Sequence, residues 1–351
     1  ARSCFEGCWL CAGAAGGVFV WRVLSASDSA GFRLRDLAWY QYFFTQCRVI
    51  WMYVRLVLLP YGQNVDPDVP VSRTVIEHGA IAGLLALAAA AIAALLLRRR
   101  YPLACYGVFV TLALLAPTSS FVPIQDVAAE RRVYLPLLGF LLIGLEFLRR
   151  LRVSQTRLAA GACAVLILLA GLTWRRSRVW SNAIALWSDS AAKSPRKVRP
   201  RFQLAYAYYA AGRCAEAVRE YAGAARLQPP DFRLLLDWAL ACDCNNQPEE
   251  ALARLRQAIA VERHSHAFAL IGMVEGKRGN RGQAMDALAT ALELDSRNDT
   301  AWAYRGNLFA TSGELEQAAA DYRQALSINP RNQIAQRGLA AVDAERLRRK
   351  R

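Results

Sequence analysis

The sequence predicts an all-α protein in which a hydrophobic, multi-span membrane half is followed by an array of helical repeats. Three observations support this prediction. Long apolar runs are confined to residues 1–174, whereas charged and apolar residues alternate after Trp174. Arginines cluster beside the apolar runs, as membrane topology requires. Residues beyond position 200 recur with a period of 33 or 34, which indicates a stack of similar helical units.

Apolar runs that approach the length of a membrane span recur through the first half. A membrane helix needs about 20 mostly apolar residues to cross the hydrocarbon layer. In a soluble protein, helices that are apolar on every side would have to be covered by a polar shell. This chain is too small to supply such a shell. We therefore predict a multi-span membrane domain over residues 1–174. Its runs are Gly79–Leu97, Tyr101–Phe121, Val133–Leu148, Leu158–Trp174 and a truncated run through Val20.

The chain begins with Ala1 instead of Met, and it begins in an apolar stretch in which Cys8–Trp21 carries no charge. We interpret it as the C-terminal part of a longer protein. A signal peptide is the alternative, but it needs a basic start and a small-residue cleavage site. Arg2 and the small residues at 15–17 match that pattern poorly.

The positions of the arginines predict the orientation in the membrane. Most of the net charge of +16 comes from arginine, and the short links 98–100 and 149–157 are strongly basic. Basic links face the cytoplasm, so the loops 61–75 and 117–132 and everything after Trp174 should lie on the far side. Three arginines just after Trp174 argue weakly against this orientation. Because the arginines flank apolar runs, a bilayer is favoured as partner over nucleic acid.

The segment at about 36–60 differs from the apolar runs. Glutamines and arginines interrupt it, and Arg48 and Arg55 are seven residues apart, hence on one face of a helix. Its tryptophans and tyrosines are typical of headgroup depth. An amphipathic helix at the far-side interface therefore fits better than a further crossing, which stays the alternative.

The repeats identify the second half. Gly306 leads a pattern with small, large, small and proline residues at offsets of 12, 16, 19 and 24, namely Ala318, Tyr322, Ala325 and Pro330. Ala205, Ala239 and Gly272 lead the same pattern, although proline is present only in the first and last units. This is the period of tetratricopeptide repeats. We predict a half-repeat junction over residues 175–197, four repeats over residues 198–332 and a capping helix over residues 333–351.

Such arrays bind extended segments along the first helices of the repeats. Tyr206, Tyr209, Asp237 and Arg305 are the candidate groove residues for a polypeptide acceptor, with Trp238 beside them. Ordinary helix surface or packing is the alternative for each. No catalytic constellation or metal site is predicted in the array.

The nine cysteines are interpreted as packing residues. Buried cysteine behaves as a small hydrophobe. Cys242 and Cys244 form a lone Cys-x-Cys without a second pair at zinc spacing.

Charged residues lie where the far-side loop 117–132 returns to the membrane. Asp126 and Glu130 are four residues apart, with Arg131 and Arg132 adjacent. Charges at that depth are costly and tend to be paired or functional. An arginine there can bind a lipid phosphate through two hydrogen bonds. A topological flank with a structural Glu–Arg pair explains the residues equally well.

Two segments resemble a known family. One is Ala129-Glu130-Arg131-Arg132-Val133-Tyr134-Leu135-Pro136, followed by Gly139-Phe140. The other, upstream, comprises Thr45, Tyr53-Val54-Arg55-Leu56, Leu59-Pro60 and Asn64-Val65-Asp66. Both, in this order and followed by repeats, resemble the transmembrane and tetratricopeptide-repeat O-mannosyltransferases and their bacterial relatives. The resemblance covers roughly residues 36–351.

The resemblance implies a GT-C glycosyltransferase fold, of which residues 1–174 would be the C-terminal part. That family uses a polyprenyl-phosphate sugar as donor and carries its repeats in the lumen or periplasm. Its catalytic acidic residues lie near the N-terminus of the full protein, so none is assigned here, and no cofactor is predicted in this segment. The resemblance implies that Glu130, Arg131 and Tyr134 lie beside the donor's phosphate or its carrier lipid. Asp126 is added as a candidate for the same site because of its spacing.

Two functions remain open on these grounds. The favoured one is an integral-membrane glycosyltransferase, in a bacterial inner membrane, whose periplasmic repeats bind a polypeptide acceptor. The alternative is a non-enzymatic, membrane-anchored scaffold for protein–protein interaction. A transporter has little support, because the sequence has no inverted repeat or interrupted span.

Overall fold

The chain divides into two compact units, which are described separately. The first comprises Ala1–Ser181 with Ala192–Pro195, and the second comprises Asn182–Ala191 with Arg196–Arg351. The residues that the computed structural model describes are 37–119, 123–124 and 126–349. The predicted apolar run through Val20 lies outside them.

The described part of the first unit contains five α-helices. In chain order they are α1 (Trp39–Leu58), α2 (Ala80–Leu97), α3 (Pro102–Leu115), α4 (Leu137–Leu148) and α5 (Gln155–Val179). Single 3-10 turns, Glu77–Gly79 and Glu130–Val133, precede α2 and α4. The first turn of α3 carries Pro102 at a position where the missing N–H has no helical partner to lose.

Two helices in the described residues are long and apolar enough to cross a membrane. They are α5 and the stretch Glu77–Leu97, which contains α2. Both α3 and α4 are apolar but shorter, with 14 and 12 residues. The predicted runs are longer than these helices because α3 ends before Pro117 and α4 begins after Pro136, and proline interrupts a helix. These findings support membrane association, and the multi-span domain remains a proposal.

Glycines bring the helices of the first unit into close contact. In α3 and α4, Gly107 and Gly139 face each other, and a Cβ on either would overlap the carbonyl oxygen of the other. In α2, Gly83 lies on the backbone of α1 at Cys47, and its carbonyl oxygen accepts a hydrogen bond of 3.0 Å from the Trp51 indole. Small residues at such crossings permit close helix packing in membrane proteins.

A buried carboxylate joins the ends of α3 and α4. Glu146 is fully buried and accepts a hydrogen bond of 3.1 Å from the backbone N–H of Leu103, in the first turn of α3. Arg149 and Arg150 each approach the same carboxylate to 2.7 Å. The basic link after α4 therefore neutralises a charge that would otherwise be buried alone.

The second unit is built from helical hairpins. Its helices are α6 (Ala183–Lys193, of which the last two residues belong to the first unit), α7 (Val198–Ala210), α8 (Cys214–Leu227), α9 (Phe232–Cys244), α10 (Pro248–Val261), α11 (Ser265–Lys277), α12 (Arg281–Leu294), α13 (Asp299–Thr311), α14 (Leu315–Ile328) and α15 (Gln333–Arg349). The pairs α7–α8, α9–α10, α11–α12 and α13–α14 correspond to the four predicted repeats.

The small residue that begins the pattern in each repeat, called the leader here, packs against a large residue of the partner helix. Ala205 and Ala239 are buried. A Cβ on Gly306 would come within 2.8 Å of the Tyr322 ring, and one on Gly272 within 2.5 Å of Leu288. The leader must therefore be small because the residue at offset 16 packs directly on it.

The hairpin turns repeat the same backbone conformation. Gly212, Asn246, Gly279 and Gly313 all have φ between 57° and 83° and follow the register of 34, 33 and 34 residues. Glycine adopts this left-handed conformation readily, and asparagine is the commonest substitute. The turn residues thus mark the repeats independently of the packing residues.

Candidate functional site

The Ala-Glu-Arg loop, defined here as residues 126–134, carries the candidate donor-binding residues. The Arg131 side chain is 72% exposed, and its guanidinium contacts the Asp126 carboxylate at 2.7 Å. Tyr134 is 81% exposed. Arg131 is thus exposed and paired with Asp126, whereas the structural alternative predicted from the sequence was a Glu–Arg pair.

Glu130 connects this loop to the segment after α1. Its Oε1 accepts a hydrogen bond of 2.5 Å from the backbone N–H of Asn64. Nearby, the Ala129 N–H donates to the hydroxyl of Tyr53, in α1, at 3.1 Å. Residues of both segments that carry the resemblance are therefore in contact, although more than 60 positions separate them in the chain.

Arg132 has a different role from its neighbour. Its Nη1 donates to the carbonyl oxygens of Thr118 and Val127 at 3.3 and 3.2 Å, and its Nη2 donates to the carbonyl oxygen of Asp126. It also lies 3.4 Å from the Tyr42 hydroxyl. This arginine holds the loop together, and it was not assigned a functional role from the sequence.

The polar face of α1 supports the same loop. The Tyr42 hydroxyl donates to the carbonyl oxygen of Thr118 at 2.6 Å, and the Gln46 amide donates to that of Val127 at 2.8 Å. Sequence reasoning missed this contact because it interpreted the polar residues of α1 as a surface for the membrane interface. Their spacing of four and seven residues, Tyr42, Gln46 and Tyr53, was the available signal for a shared helix face.

The two arginines of α1 contact the segment that follows the helix. Arg48 donates to the carbonyl oxygen of Pro70 at 3.0 Å and to the Ser72 hydroxyl at 3.1 Å. The Arg55 guanidinium lies 5.3 Å from the centre of the Tyr61 ring. The predicted common face therefore binds protein groups.

In the second unit, the surroundings of two predicted groove residues, Tyr209 and Asp237, raise their pKa values. Tyr206, in α7, is 50% exposed. Burial raises the pKa of Tyr209, and the carboxylates of Asp243 and Asp237 raise it further. Burial also raises the pKa of the Asp237 carboxyl, opposed by Arg233 at 3.9 Å. These residues form a cluster of aromatic hydroxyls and carboxylates, which can hydrogen-bond a polypeptide.

Arg305 makes a different set of contacts from the other predicted groove residues. Its Nε and Nη2 donate to the two carboxylate oxygens of Asp321 at 2.7 and 2.9 Å. Its guanidinium lies 4.5 Å from the centre of the Trp302 ring. The contacts join α13 to α14 within one repeat, so the Arg305 guanidinium is already bound to protein groups.

Replacing Arg305 with alanine should lower the free energy of unfolding of the second unit by about 3 kcal/mol, because it leaves the buried Asp321 carboxylate unpaired. Thermal or denaturant unfolding measures the change. Arg323→Ala, at an exposed position two residues from Asp321, is the matched control and should alter stability by less than about 0.5 kcal/mol. Equal effects of the two substitutions would show that the Arg305–Asp321 pair is dispensable.

The face of the first helices continues beyond the predicted residues. A cavity of about 370 Å³ is lined by residues of α11 and α13, including Met273, Tyr304 and Asn307, together with Ile334 of α15. Lys277 at its edge contacts the Asp243 carboxylate at 2.6 Å. Burial raises the pKa of Tyr304 to about 12, with Tyr209 and Asp243 contributing. Tyr304 lies two positions before its repeat leader, and Asp243 and Lys277 lie four and five positions after theirs. These recurring helix positions were a signal that could have found them.

The interpretation of all cysteines as packing residues is wrong for two of them. Cys214 and Cys244 form a disulfide with their Cα atoms 5.7 Å apart. The pairing was missed because 30 residues separate them, and only the fold brings the start of α8 to the end of α9. Cys242 fits the packing interpretation, since it is buried, and burial raises its pKa to about 11.

Comparison with known proteins identifies the repeats. The tetratricopeptide repeat family matches residues 300–332. Human Protein O-mannosyl-transferase TMTC1 is 28% identical over 149 residues, which cover 41% of this chain and 17% of that protein. Similar solved structures include TTC0263, a thermophilic TPR protein in Thermus thermophilus, with 20% identity, a TM-score of 0.41 and coverage of 50% of this chain and 95% of that chain.

Another similar structure is PilW, a widely conserved type IV pilus biogenesis factor, with 17% identity, a TM-score of 0.39 and coverage of 55% of this chain and 93% of that chain. The matched part of TMTC1 is small, so the similarity concerns a segment of that protein and not its whole length. The chain therefore contains a tetratricopeptide repeat and has a distant similarity to a segment of TMTC1.

Proposed function

We propose that this chain is part of an integral-membrane glycosyltransferase that takes its sugar from a polyprenyl-phosphate donor. One observation carries the proposal: the exposed Arg131 is presented by a loop that is fixed through Arg132, Glu130 and the polar face of α1. An exposed arginine on a fixed loop is suited to phosphate recognition, because less backbone freedom is lost on binding. The similarity to Protein O-mannosyl-transferase TMTC1 adds support.

Each residue of the Ala-Glu-Arg loop has a defined part in this proposal. Arg131 binds the phosphate through its guanidinium, whose fork of donors matches phosphate oxygens. Asp126 orients that guanidinium at 2.7 Å. Glu130 fixes the loop against Asn64. The exposed Tyr134 ring lies beside the carrier lipid at headgroup depth, where tyrosine is favoured.

The test replaces Arg131 with alanine in the protein produced from its complete gene. Transfer from a polyprenyl-phosphate sugar to a polypeptide should fall about 10–100-fold in kcat/KM, because one charge-assisted phosphate contact is lost. Arg131→Lys should retain part of the activity, since it keeps the charge but loses the fork of donors.

The matched control is Arg73→Ala, which removes another exposed arginine from the first unit. It should leave transfer unchanged. A correctly folded Arg131→Ala variant with normal turnover would reject the phosphate-binding role.

The repeat array binds the polypeptide acceptor in this proposal. Tyr206, Tyr209 and Asp237 provide an aromatic and acidic surface, and the cavity beside Tyr304 continues the same helix positions. Repeat arrays present extended surfaces of this kind to polypeptide segments. The match of residues 300–332 to the tetratricopeptide repeat family is consistent with that use.

The proposal includes an orientation. The basic links 98–100 and 149–157 face the cytoplasm, and the array lies on the opposite side, which is the periplasm if the membrane is a bacterial inner membrane. The Cys214–Cys244 disulfide supports this side, because disulfides persist in oxidising compartments and are rare in the cytosol.

A membrane-anchored scaffold is the second candidate. The observation in its favour is that two helices in the described residues are long and apolar enough to cross a membrane, which suffices for an anchor. The transfer assay separates the two functions. A protein from the complete gene that binds polypeptides but transfers no sugar from any polyprenyl-phosphate donor would favour the scaffold.

A further inference from the structure

The disulfide joins the first two repeats, and its cysteines are close in sequence to Tyr209 and Asp243. Cys214 is the first residue of α8, in the first repeat, and Cys244 is the last residue of α9, in the second. We propose that the Cys214–Cys244 bond is a covalent clamp that fixes the first repeat against the second and so sets the spacing of the groove residues on α7 and α9.

The clamp is next to residues that link successive repeats. Asp243 precedes Cys244, and its carboxylate contacts Lys277 of the third repeat at 2.6 Å. On the other side, Tyr209 lies five residues before Cys214 in the sequence. The first three repeats are thus joined in series, by a disulfide and then by an ion pair. Because a repeat contacts mainly its neighbours, each such link controls the local geometry of the array.

The packing around the first two repeats gives a reason for a covalent link. Among the described residues, the buried Tyr221 hydroxyl and the buried Trp238 indole N–H have no hydrogen-bond partner. In the fourth repeat the equivalent tyrosine, Tyr322, donates to the Asn307 side chain at 2.7 Å. Position 206, the counterpart of Asn307, is a tyrosine here. Buried polar groups without partners weaken packing, and a disulfide offsets that loss by restricting the unfolded chain.

Formation of the clamp needs an oxidant, which we assign to the disulfide of a thiol–disulfide oxidoreductase. The thiolate of the more exposed Cys244 attacks that disulfide and forms a mixed disulfide. The Cys214 sulfur then displaces the oxidoreductase and closes the Cys214–Cys244 bond. The two cysteines lose two protons and two electrons in total, and the oxidoreductase gains them as a dithiol.

Cys242 is the competing thiol, since it lies two residues from Cys244. It is 1% exposed and packs in the core of the first two repeats. Burial raises its pKa to about 11, so little of it is the nucleophilic thiolate at neutral pH. The fold thus selects Cys214 as the partner.

The first experiment determines the covalent state in cells that express the complete gene. N-ethylmaleimide is added before lysis, and the protein is digested without reductant and analysed by mass spectrometry. We expect a linked peptide pair containing Cys214 and Cys244, and Cys242 alkylated only after denaturation. Alkylation of both Cys214 and Cys244 in intact cells would overturn the proposal.

The second experiment tests the clamp by hydrogen–deuterium exchange and thermal unfolding of the purified protein, with and without tris(2-carboxyethyl)phosphine. Reduction should speed exchange several-fold in α7–α9, leave α13 and α14 unchanged, and lower the unfolding temperature of the array by about 5–10 °C. The double variant Cys214→Ser/Cys244→Ser should resemble the reduced protein, and its exchange rates and unfolding temperature should not change when reductant is added. Cys163→Ser, at an exposed cysteine of α5, should behave as the unmodified protein does.

Unchanged exchange in α7–α9 after complete reduction would show that the bond does not hold the repeats. Reduction of the unmodified protein provides the answer even if the double variant folds poorly. The link to acceptor binding rests on the proposed function, whereas the covalent state and the exchange rates do not. A negative transferase assay therefore does not contradict the clamp, and a negative result for the clamp does not contradict the transferase.

Discussion

Replacing Gly139 with alanine should disrupt the contact between α3 and α4 and lower the stability of the first unit by roughly 2–4 kcal/mol. A Cβ there would overlap the Thr111 hydroxyl and the carbonyl oxygen of Gly107. A backbone oxygen cannot move aside as a flexible side chain can, so the two helices must separate. Separation also disturbs the hydrogen bond between Glu146 and the start of α3.

The same helix offers a control. Gly144→Ala adds the same methyl group to α4 where no atom lies within 4 Å. It should be neutral or stabilising by up to about 1 kcal/mol, because alanine favours a helix over glycine. The two variants are compared by thermal unfolding in one detergent. If Gly139→Ala melts at the same temperature as Gly144→Ala, the close approach of α3 and α4 does not stabilise the unit.

Replacing Arg132 with alanine should destabilise the Ala-Glu-Arg loop by about 3 kcal/mol. The substitution leaves the carbonyl oxygens of Thr118, Val127 and Asp126 without their charged donor. Hydrogen bonds to a charged group contribute more than neutral ones, and several are lost together. Because Arg132 is only half-buried, water can replace some of the lost hydrogen bonds, and this reduces the loss of stability.

Hydrogen–deuterium exchange over residues 115–134 measures this loss, and the adjacent Arg131→Ala is the control. Arg131 is exposed, and an exposed ion pair such as the one with Asp126 adds less than about 1 kcal/mol. Arg131→Ala should therefore reduce sugar transfer and keep the loop protected, whereas Arg132→Ala should expose the loop. Equal exchange in both variants would show that Arg132 does not hold the loop.

The repeats could be predicted from the sequence because each one obeys a local rule. The leader residue faces a large partner in the same hairpin, so Gly306 and Tyr322 are only 16 residues apart. The hairpin turns follow the same register, including Asn246 where the others have glycine. Short-range contacts of this kind leave a periodic record in the sequence.

The candidate site was predicted only in part. The sequence suggested Asp126, Glu130, Arg131 and Tyr134 as candidates by their charge, spacing and family resemblance. It did not distinguish the exposed Arg131 from its neighbour Arg132, because both are arginines in one loop. Their difference depends on carbonyl oxygens and on α1, which lie up to 90 positions away. In the groove, Arg305 looked like its companions until its bond to Asp321 was known.

The sequence alone determined that the chain is helical, that its second half is a helical solenoid with the tetratricopeptide period, and that its first half contains long apolar helices beside arginine clusters. These properties follow from periodicity and composition, which act over one or two turns of a helix. Only the tertiary structure decided which arginine is presented to solvent and which holds a loop. It also decided that Cys214 pairs with Cys244 while Cys242 stays buried. Such choices depend on contacts between residues far apart in the chain, and those contacts leave no periodic signal.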